Sequence, residues 1–116
     1  MNQPVLEIGE KIHVIIRRHF KEEVRRHFAG EVTAVAPGQI RVEGYTFTCE
    51  PVSLAYRRLP ELRTRIFALH DSGYIINVIP RTVDVSRLRY HSNTGVPILT
   101  DGQGFSLEVN EFKATS

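Results

Sequence analysis

The chain has 116 residues, of which 41% are hydrophobic and 24% are charged, and its formal net charge is +2. This length and balance predict one ordinary domain, residues 1–116, with one hydrophobic core, and argue against disorder. The single cysteine, Cys49, excludes an internal disulfide and a paired-cysteine metal site. Because no signal-peptide pattern is present and no apolar run approaches the roughly 20 residues of a membrane helix, we expect a soluble, cytoplasmic protein.

The first half of the chain predicts three strands in succession. β-Branched residues favour a strand over residues 11–20, and apolar residues in matching phase favour a second over residues 24–36. Pro37-Gly38 is a turn dipeptide, and a third strand is predicted after it, over residues 39–49. Gly44 interrupts the apolar pattern of this strand and shifts its phase, which indicates a bulge or a sharp bend.

The second half combines further short strands with turn signals. Residues 51–62 lack alternation, so we expect a loop there with at most one helical turn. Asp84 is placed to cap a brief helical turn over residues 85–88. Turn signals occur at Asp71-Ser72-Gly73, Asn93-Thr94-Gly95 and Asp101-Gly102-Gln103-Gly104. The remaining strands are predicted at residues 65–70, 74–79, 96–99 and 105–109.

The segment 17–28 contains the tetrapeptide Arg-Arg-His-Phe twice. Apolar residues recur every four positions in this part of the chain, a spacing that fits both a helix and a strand. In a helix, each step of four overshoots a full turn by roughly 40°, so the apolar residues would spread over about 160° of its circumference. In a hairpin, Phe20 faces Val24 and Ile16 faces Phe28 on one side of the sheet. We therefore favour the hairpin over the helix.

The predicted hairpin gathers basic side chains at its tip, where Arg18 and Arg26 fall opposite one another. Like charges so close together repel unless the tip projects into solvent or binds an anion. Arginine is the basic side chain suited to forked contacts with phosphate. The predicted anion-binding residues are Arg17, Arg18, Arg25, Arg26, His19 and His27 of this tip, together with Arg57 and Arg58.

Three parts of the chain resemble a small, strongly bent barrel of the Sm-like type, over residues 9–80. Gly30-Glu31-Val32 is similar to the glycine and aliphatic residue of that family's bent second strand, and residues 39–47 resemble its third strand. Residues 65–80 are similar to its closing hairpin. The resemblance implies a mainly β, antiparallel barrel that forms a homo-oligomeric ring by edge-to-edge strand pairing, with RNA bound around the pore.

Two loops of the chain depart from the nucleobase pocket of that family. The loop Ala36-Pro37-Gly38-Gln39 lacks the family's asparagine, and the turn His70-Asp71-Ser72-Gly73 keeps only the glycine of its arginine-glycine pair. Residues 81–116 lie outside the resemblance, and we expect them to add a C-terminal β-hairpin to the barrel core of residues 9–80.

No catalytic, metal-binding or cofactor-binding constellation is recognisable. The two histidines of the repeated tetrapeptide lack a third ligand for zinc, and the glycines around Asp101 lack the lysine of a phosphate-binding loop. The sequence therefore predicts a non-catalytic oligomer that binds RNA or another polyanion. The alternative is a structural module without nucleic acid, in which the arginines pair with acidic residues of neighbouring subunits, such as Asp101, Glu108 and Glu111.

Overall fold

The computed structural model describes residues 5–18, 20, 22–70, 73–93 and 96–109. Nearly all of its regular structure is β-strand, which confirms the prediction of a mainly β, antiparallel fold. The strands are β1 (Lys11–Ile16), β2 (Arg26–Ala36), β3 (Gln39–Cys49), β4 (Tyr56–Ala68), β5 (Tyr74–Ile79), β6 (Arg89–Asn93), β7 (Val96–Thr100) and β8 (Ser106–Glu108). One 3₁₀ turn, Val85–Arg87, precedes β6.

The strands form two antiparallel sheets. The larger sheet has the order β4-β3-β2-β1-β5, and the smaller has the order β6-β7-β8. In the part of the chain that the structure describes, β4 and β5 are the two edges of the larger sheet and do not pair with each other, so the sheet is not closed. The C-terminal extension has three strands where a hairpin was expected, because β6 was not predicted.

The hairpin predicted from the repeated tetrapeptide is confirmed, and the alternative of a continuous helix is wrong. Val14 lies opposite Phe28, and Ile16 lies opposite Arg26. The predicted register, with Ile16 opposite Phe28 and Arg18 opposite Arg26, is therefore wrong by two residues. Side chains alternate between faces with a period of two, so this even shift leaves each side chain on its predicted face.

The central part of the larger sheet is buried on both of its faces, and each face carries its own core. The first face buries Ile12, Val14, Phe28, Val32, Ile40, Val42 and Phe67, together with Leu6. The second face packs against the smaller sheet and buries Ile15, Ala29, Phe47, Cys49, Tyr56, Ile79, Val83, Leu88, Leu99 and Val109. The smaller sheet therefore covers the second face of the larger sheet, and the two sheets enclose the second core between them.

The loop predicted over residues 51–62 is wrong for residues 56–62, which belong to the long strand β4. Most of β4 is exposed on both faces, so its sequence has no reason to alternate. Pro60 is tolerated there because an edge strand has one side that donates no ladder hydrogen bond. The predicted turn residues Asp71, Ser72, Thr94 and Gly95 lie outside the described residues.

Gly44 marks a close approach of two strands, and the expected bulge does not lie at this residue. Gly44 pairs with Gly30, and the irregularities in pairing lie between Val32 and Ala34 and between Tyr45 and Phe47. A Cβ atom on Gly44 would lie closer than 3.0 Å to the backbone of Ala29. The change of apolar phase has another cause: beyond Gly44, β3 is buried on both faces.

The brief helical turn predicted after Asp84 is confirmed. The Asp84 Oδ1 atom accepts hydrogen bonds from the Ser86 backbone N–H at 3.0 Å and from the Ser86 hydroxyl at 2.6 Å. These bonds favour the charged carboxylate, so the Ser86 hydroxyl and then the Ser86 backbone N–H lower the pKa of Asp84. The turn is thereby fixed just before β6, the first strand of the covering sheet.

We expect Asp84→Ala to lower the melting temperature, whereas Asp84→Asn retains most of the stability because its side-chain oxygen still accepts these bonds. Because folding lowers the pKa of Asp84, its stabilising effect is complete above the ordinary carboxyl value of about 3.9 and is lost as pH falls below that value. Thermal unfolding followed by circular dichroism at neutral pH and below about pH 3 measures both effects. Equal melting temperatures for the three proteins at neutral pH would contradict this account.

Candidate nucleic-acid interface

Arginines from three strands meet at one end of the larger sheet. Antiparallel pairing places the end of β1 beside the starts of β2 and β4, so Arg17, Arg26 and Arg57 lie at the same end. The Arg17 backbone N–H donates to the carbonyl of Gly73 at 2.8 Å, which fixes the chain as it leaves β1. We call the six arginines of this region the arginine end: Arg17, Arg18, Arg25, Arg26, Arg57 and Arg58.

Two arginines of this end lie in one row across the sheet. Arg26 pairs with Thr48, and Thr48 pairs with Arg57. Directly paired residues project from the same face, and strands are about 4.8 Å apart, so Arg26 and Arg57 are separated by about 10 Å on one face. Both side chains are exposed. Two forked cations are therefore presented side by side toward solvent.

The net charge around the arginine end is positive among the described residues. Six arginines outnumber the three glutamates of this region, Glu22, Glu23 and Glu50. The pair between Arg57 Nη1 and Glu50 Oε1 measures 3.5 Å with both side chains exposed, so it restrains Arg57 only weakly. The Glu23 carboxylate accepts the Phe20 backbone N–H at 2.9 Å and so helps to order the loop after β1.

The aromatic side chains near these arginines differ in exposure. The Phe20 side chain is 69% exposed, in the loop between β1 and β2. Phe28 and Tyr56, by contrast, belong to the two cores. The exposed ring of Phe20 therefore lies beside the arginine end, where a planar group could stack on it.

The position predicted for His27 at an exposed tip is wrong. His27 is fully buried, on the second face of the sheet. Its ring stacks on Tyr56 with centroids 4.5 Å apart. His27 therefore belongs to the contact between the two sheets and is not at the anion-facing surface, and His19 lies outside the described residues.

His27 is part of a buried cluster that joins the two sheets. The Tyr90 hydroxyl, from β6, hydrogen-bonds His13 Nε2 at 2.6 Å and also hydrogen-bonds His27 Nδ1. Asn77 Nδ2, from β5, lies 3.3 Å from His13 Nδ1. Both imidazoles are fully buried. We call His13, His27, Asn77 and Tyr90 the histidine–tyrosine chain.

Sequence reasoning missed this chain, although one signal for it was present. His13 interrupts an otherwise apolar run in β1, the strand flanked by β2 and β5. A strand that is paired on both sides and apolar along its length is buried on both faces, so a histidine within it must find a hydrogen-bond partner. That partner, Tyr90, is 77 positions away in the chain, and the local sequence gives no indication of it.

The other candidate groups have structural roles. Cys49 is buried in the second core. The Asp101 carboxylate accepts the backbone N–H groups of Gln103 at 2.8 Å and Phe105 at 3.1 Å, within its own turn. Within the described ranges, no group of three or more histidine, cysteine, aspartate or glutamate side chains is arranged to hold a metal ion.

No family model matches the chain, and neither does any curated protein or solved structure. Among the described residues, no helix has the length and apolar character needed to cross a membrane.

Proposed function

We propose that the protein is a non-catalytic, self-associating β protein of the Sm-like barrel type that binds single-stranded RNA at the arginine end. The observation that carries the proposal is that arginines from three strand termini lie at one end of the sheet, with Arg26 and Arg57 in one exposed row. Arg58 lies on the opposite face and donates to the Ser86 carbonyl. Arginine guanidinium groups form bidentate contacts with phosphate and are more weakly hydrated than ammonium groups. A cluster of this kind suits a flexible anionic backbone.

The exposed ring of Phe20 favours a single strand over a duplex. Unpaired bases stack on aromatic side chains, and each such contact contributes about 1–3 kcal/mol without regard to base identity. Phe20 lies in the loop that also carries Arg18 and Arg25, so positive charge and an exposed aromatic ring lie close together. This combination predicts affinity for single-stranded RNA with little sequence preference.

The two edges of the larger sheet support self-association. Exposed apolar side chains lie on both edge strands: Leu62 and Ile66 on β4 are 55% and 58% exposed, and Val78 on β5 is 58% exposed. Unpaired edges are templates for strand pairing with another chain. Pairing of β4 of one subunit with β5 of the next is a head-to-tail contact, which produces a closed ring if the rotation closes.

Replacing Arg26 and Arg57 together by glutamine tests the RNA site. We expect the affinity for a single-stranded RNA oligonucleotide to fall on the order of tenfold, and the dependence of log affinity on log salt to become shallower by about 1.4, because two phosphate contacts are lost. Fluorescence anisotropy at several salt concentrations measures both quantities.

A double variant, Arg41→Gln with Arg63→Gln, is the matched control. Both residues are exposed, they lie away from the arginine end, and Arg63 pairs with Glu61 at 3.1 Å, as Arg57 pairs with Glu50. The control removes the same net charge, so it should lose much less affinity. Equal losses in the two double variants would contradict a localised site.

The alternative is a structural module whose arginines pair with carboxylates of neighbouring subunits. The exposed sheet edges favour it equally, but Asp101, one of its proposed acidic partners, is already bonded within its own turn. On this alternative, wild-type protein binds no RNA, and the Arg26/Arg57 variant changes only the oligomeric state. The same anisotropy series, combined with light scattering, distinguishes the two functions.

A further inference from the structure

The hydrogen bonds of the histidine–tyrosine chain run in one direction. The Asn77 amide N–H donates to His13 Nδ1, so the other nitrogen of His13, Nε2, carries its proton and donates to the Tyr90 oxygen. The Tyr90 hydroxyl then donates its single proton to His27 Nδ1. This assignment of donors and acceptors gives each link one proton.

We propose that this chain is a pH-sensitive latch, in which an added proton releases the covering sheet β6–β8 from the second face of the larger sheet. Tyr90 belongs to β6, whereas His13 and His27 belong to β1 and β2, so the chain spans the boundary between the two sheets. It acts at the contact between the sheets and does not depend on RNA binding.

A further proton disrupts the chain because one link loses its acceptor. If His27 Nδ1 is protonated, it faces the Tyr90 hydroxyl as a second donor, and the Tyr90 proton no longer has that lone pair to bind. The charge would also form at a fully buried ring, where the loss of solvation is costly. Separation of the sheets relieves both costs, since it returns the imidazolium to water.

The surroundings of the chain are contributed by several strands of the second core. The titratable groups on this face, besides the two histidines, are Tyr45 and Cys49 of β3, Tyr56 of β4 and Tyr90 of β6. The charged groups are Lys11 of β1, Glu31 of β2, Glu43 of β3, Arg58 of β4 and Asp84 of the turn before β6. The guanidinium of Arg58 donates to the Ser86 carbonyl in the turn before β6, so it also connects the larger sheet to the cover. The positive charge of Arg58 on this face disfavours a further cation.

Hydrogen exchange at about pH 7.5 and about pH 5 tests the latch, because histidine titrates between these values while most carboxylates stay ionised. If the docked cover requires a neutral histidine, and the released cover leaves that histidine with the ordinary pKa of about 6.5, docking weakens by about 30-fold between the two pH values. We therefore expect protection factors, which correct for intrinsic exchange rates, to fall by about this ratio in β6–β8 and to stay high in β2 and β3. Unchanged protection, or an equal loss in all strands, would overturn the proposal.

Two variants assign the effect to the chain. In His27→Asn, the side-chain amide can still accept the Tyr90 proton but does not titrate, so β6–β8 should keep protection at about pH 7.5 and lose most of the pH response. In Tyr90→Phe, protection of β6–β8 should already be low at about pH 7.5, and the response to acid should shrink. If His27→Asn does not fold, Tyr90→Phe decides, and a full pH response in Tyr90→Phe would overturn the proposal.

Discussion

Gly44→Ala is expected to destabilise the protein by about 3 kcal/mol, because the new methyl group has no space. A Cβ atom at this position would lie closer than 3.0 Å to the backbone of Ala29 and Gly30, and backbone cannot move aside as the end of a long side chain can. Gly44 and Gly30 face each other where β2 and β3 approach closely, at the centre of the sheet. Separating these strands would disturb both cores.

Urea unfolding measures this effect, and Gly104→Ala is its control. No atom lies within 4 Å of a Cβ built on Gly104, so alanine causes no clash there. Because the φ of Gly104 is 105°, the substitution destabilises the protein only through backbone strain, by about 1–2 kcal/mol. The unfolding midpoint of Gly44→Ala should therefore fall clearly below that of Gly104→Ala. Equal midpoints would show that the strands do not approach as closely as described.

If the subunits assemble through their sheet edges as proposed, Ile66→Lys is expected to be monomeric. Ile66 is 58% exposed on the edge strand β4, so a lysine there costs the isolated subunit little. In an assembly, the same lysine would have to be buried against a neighbouring edge, which is one of the means by which natural proteins prevent edge pairing. Size-exclusion chromatography with light scattering should show the 13.2 kDa monomer for the variant and a larger species for the wild type.

Val35→Lys is the matched control for the edge substitution. Val35 is 40% exposed but lies on β2, which is paired on both sides and offers no edge. This variant should assemble as the wild type does. A monomeric wild-type protein, or equal dissociation of both variants, would contradict assembly through the sheet edges.

The strands with clear local signals could be predicted from sequence, and the long edge strand could not. Residues 39–49 and 74–79 match β3 and β5 because their apolar patterns are bounded by turns or by proline. The first part of β4 was missed because apolar and polar residues alternate only where one face of a strand is buried and the other is exposed. Most of β4 is exposed on both faces. Propensity alone does not recover a strand of this kind.

The candidate site was predictable only where it depends on local pairing. The hairpin brings Arg17 and Arg26 to one end of the sheet even with the register wrong by two residues. The alignment of Arg26 with Arg57 depends on the pairing of β3 with both neighbours, which a single sequence does not specify. His27 was misplaced because its burial depends on a covering sheet, one strand of which, β6, gave no signal.

The salt dependence of RNA binding by the wild-type protein tests the central claim most directly. If the five arginines of the arginine end other than Arg58, which contacts Ser86, each contact a phosphate, log affinity for single-stranded RNA should fall against log salt with a slope of about −3.5. Anisotropy titrations over a range of salt concentrations give this slope. A slope near zero, or no binding at low salt, would contradict the assignment of the arginine end as a nucleic-acid site.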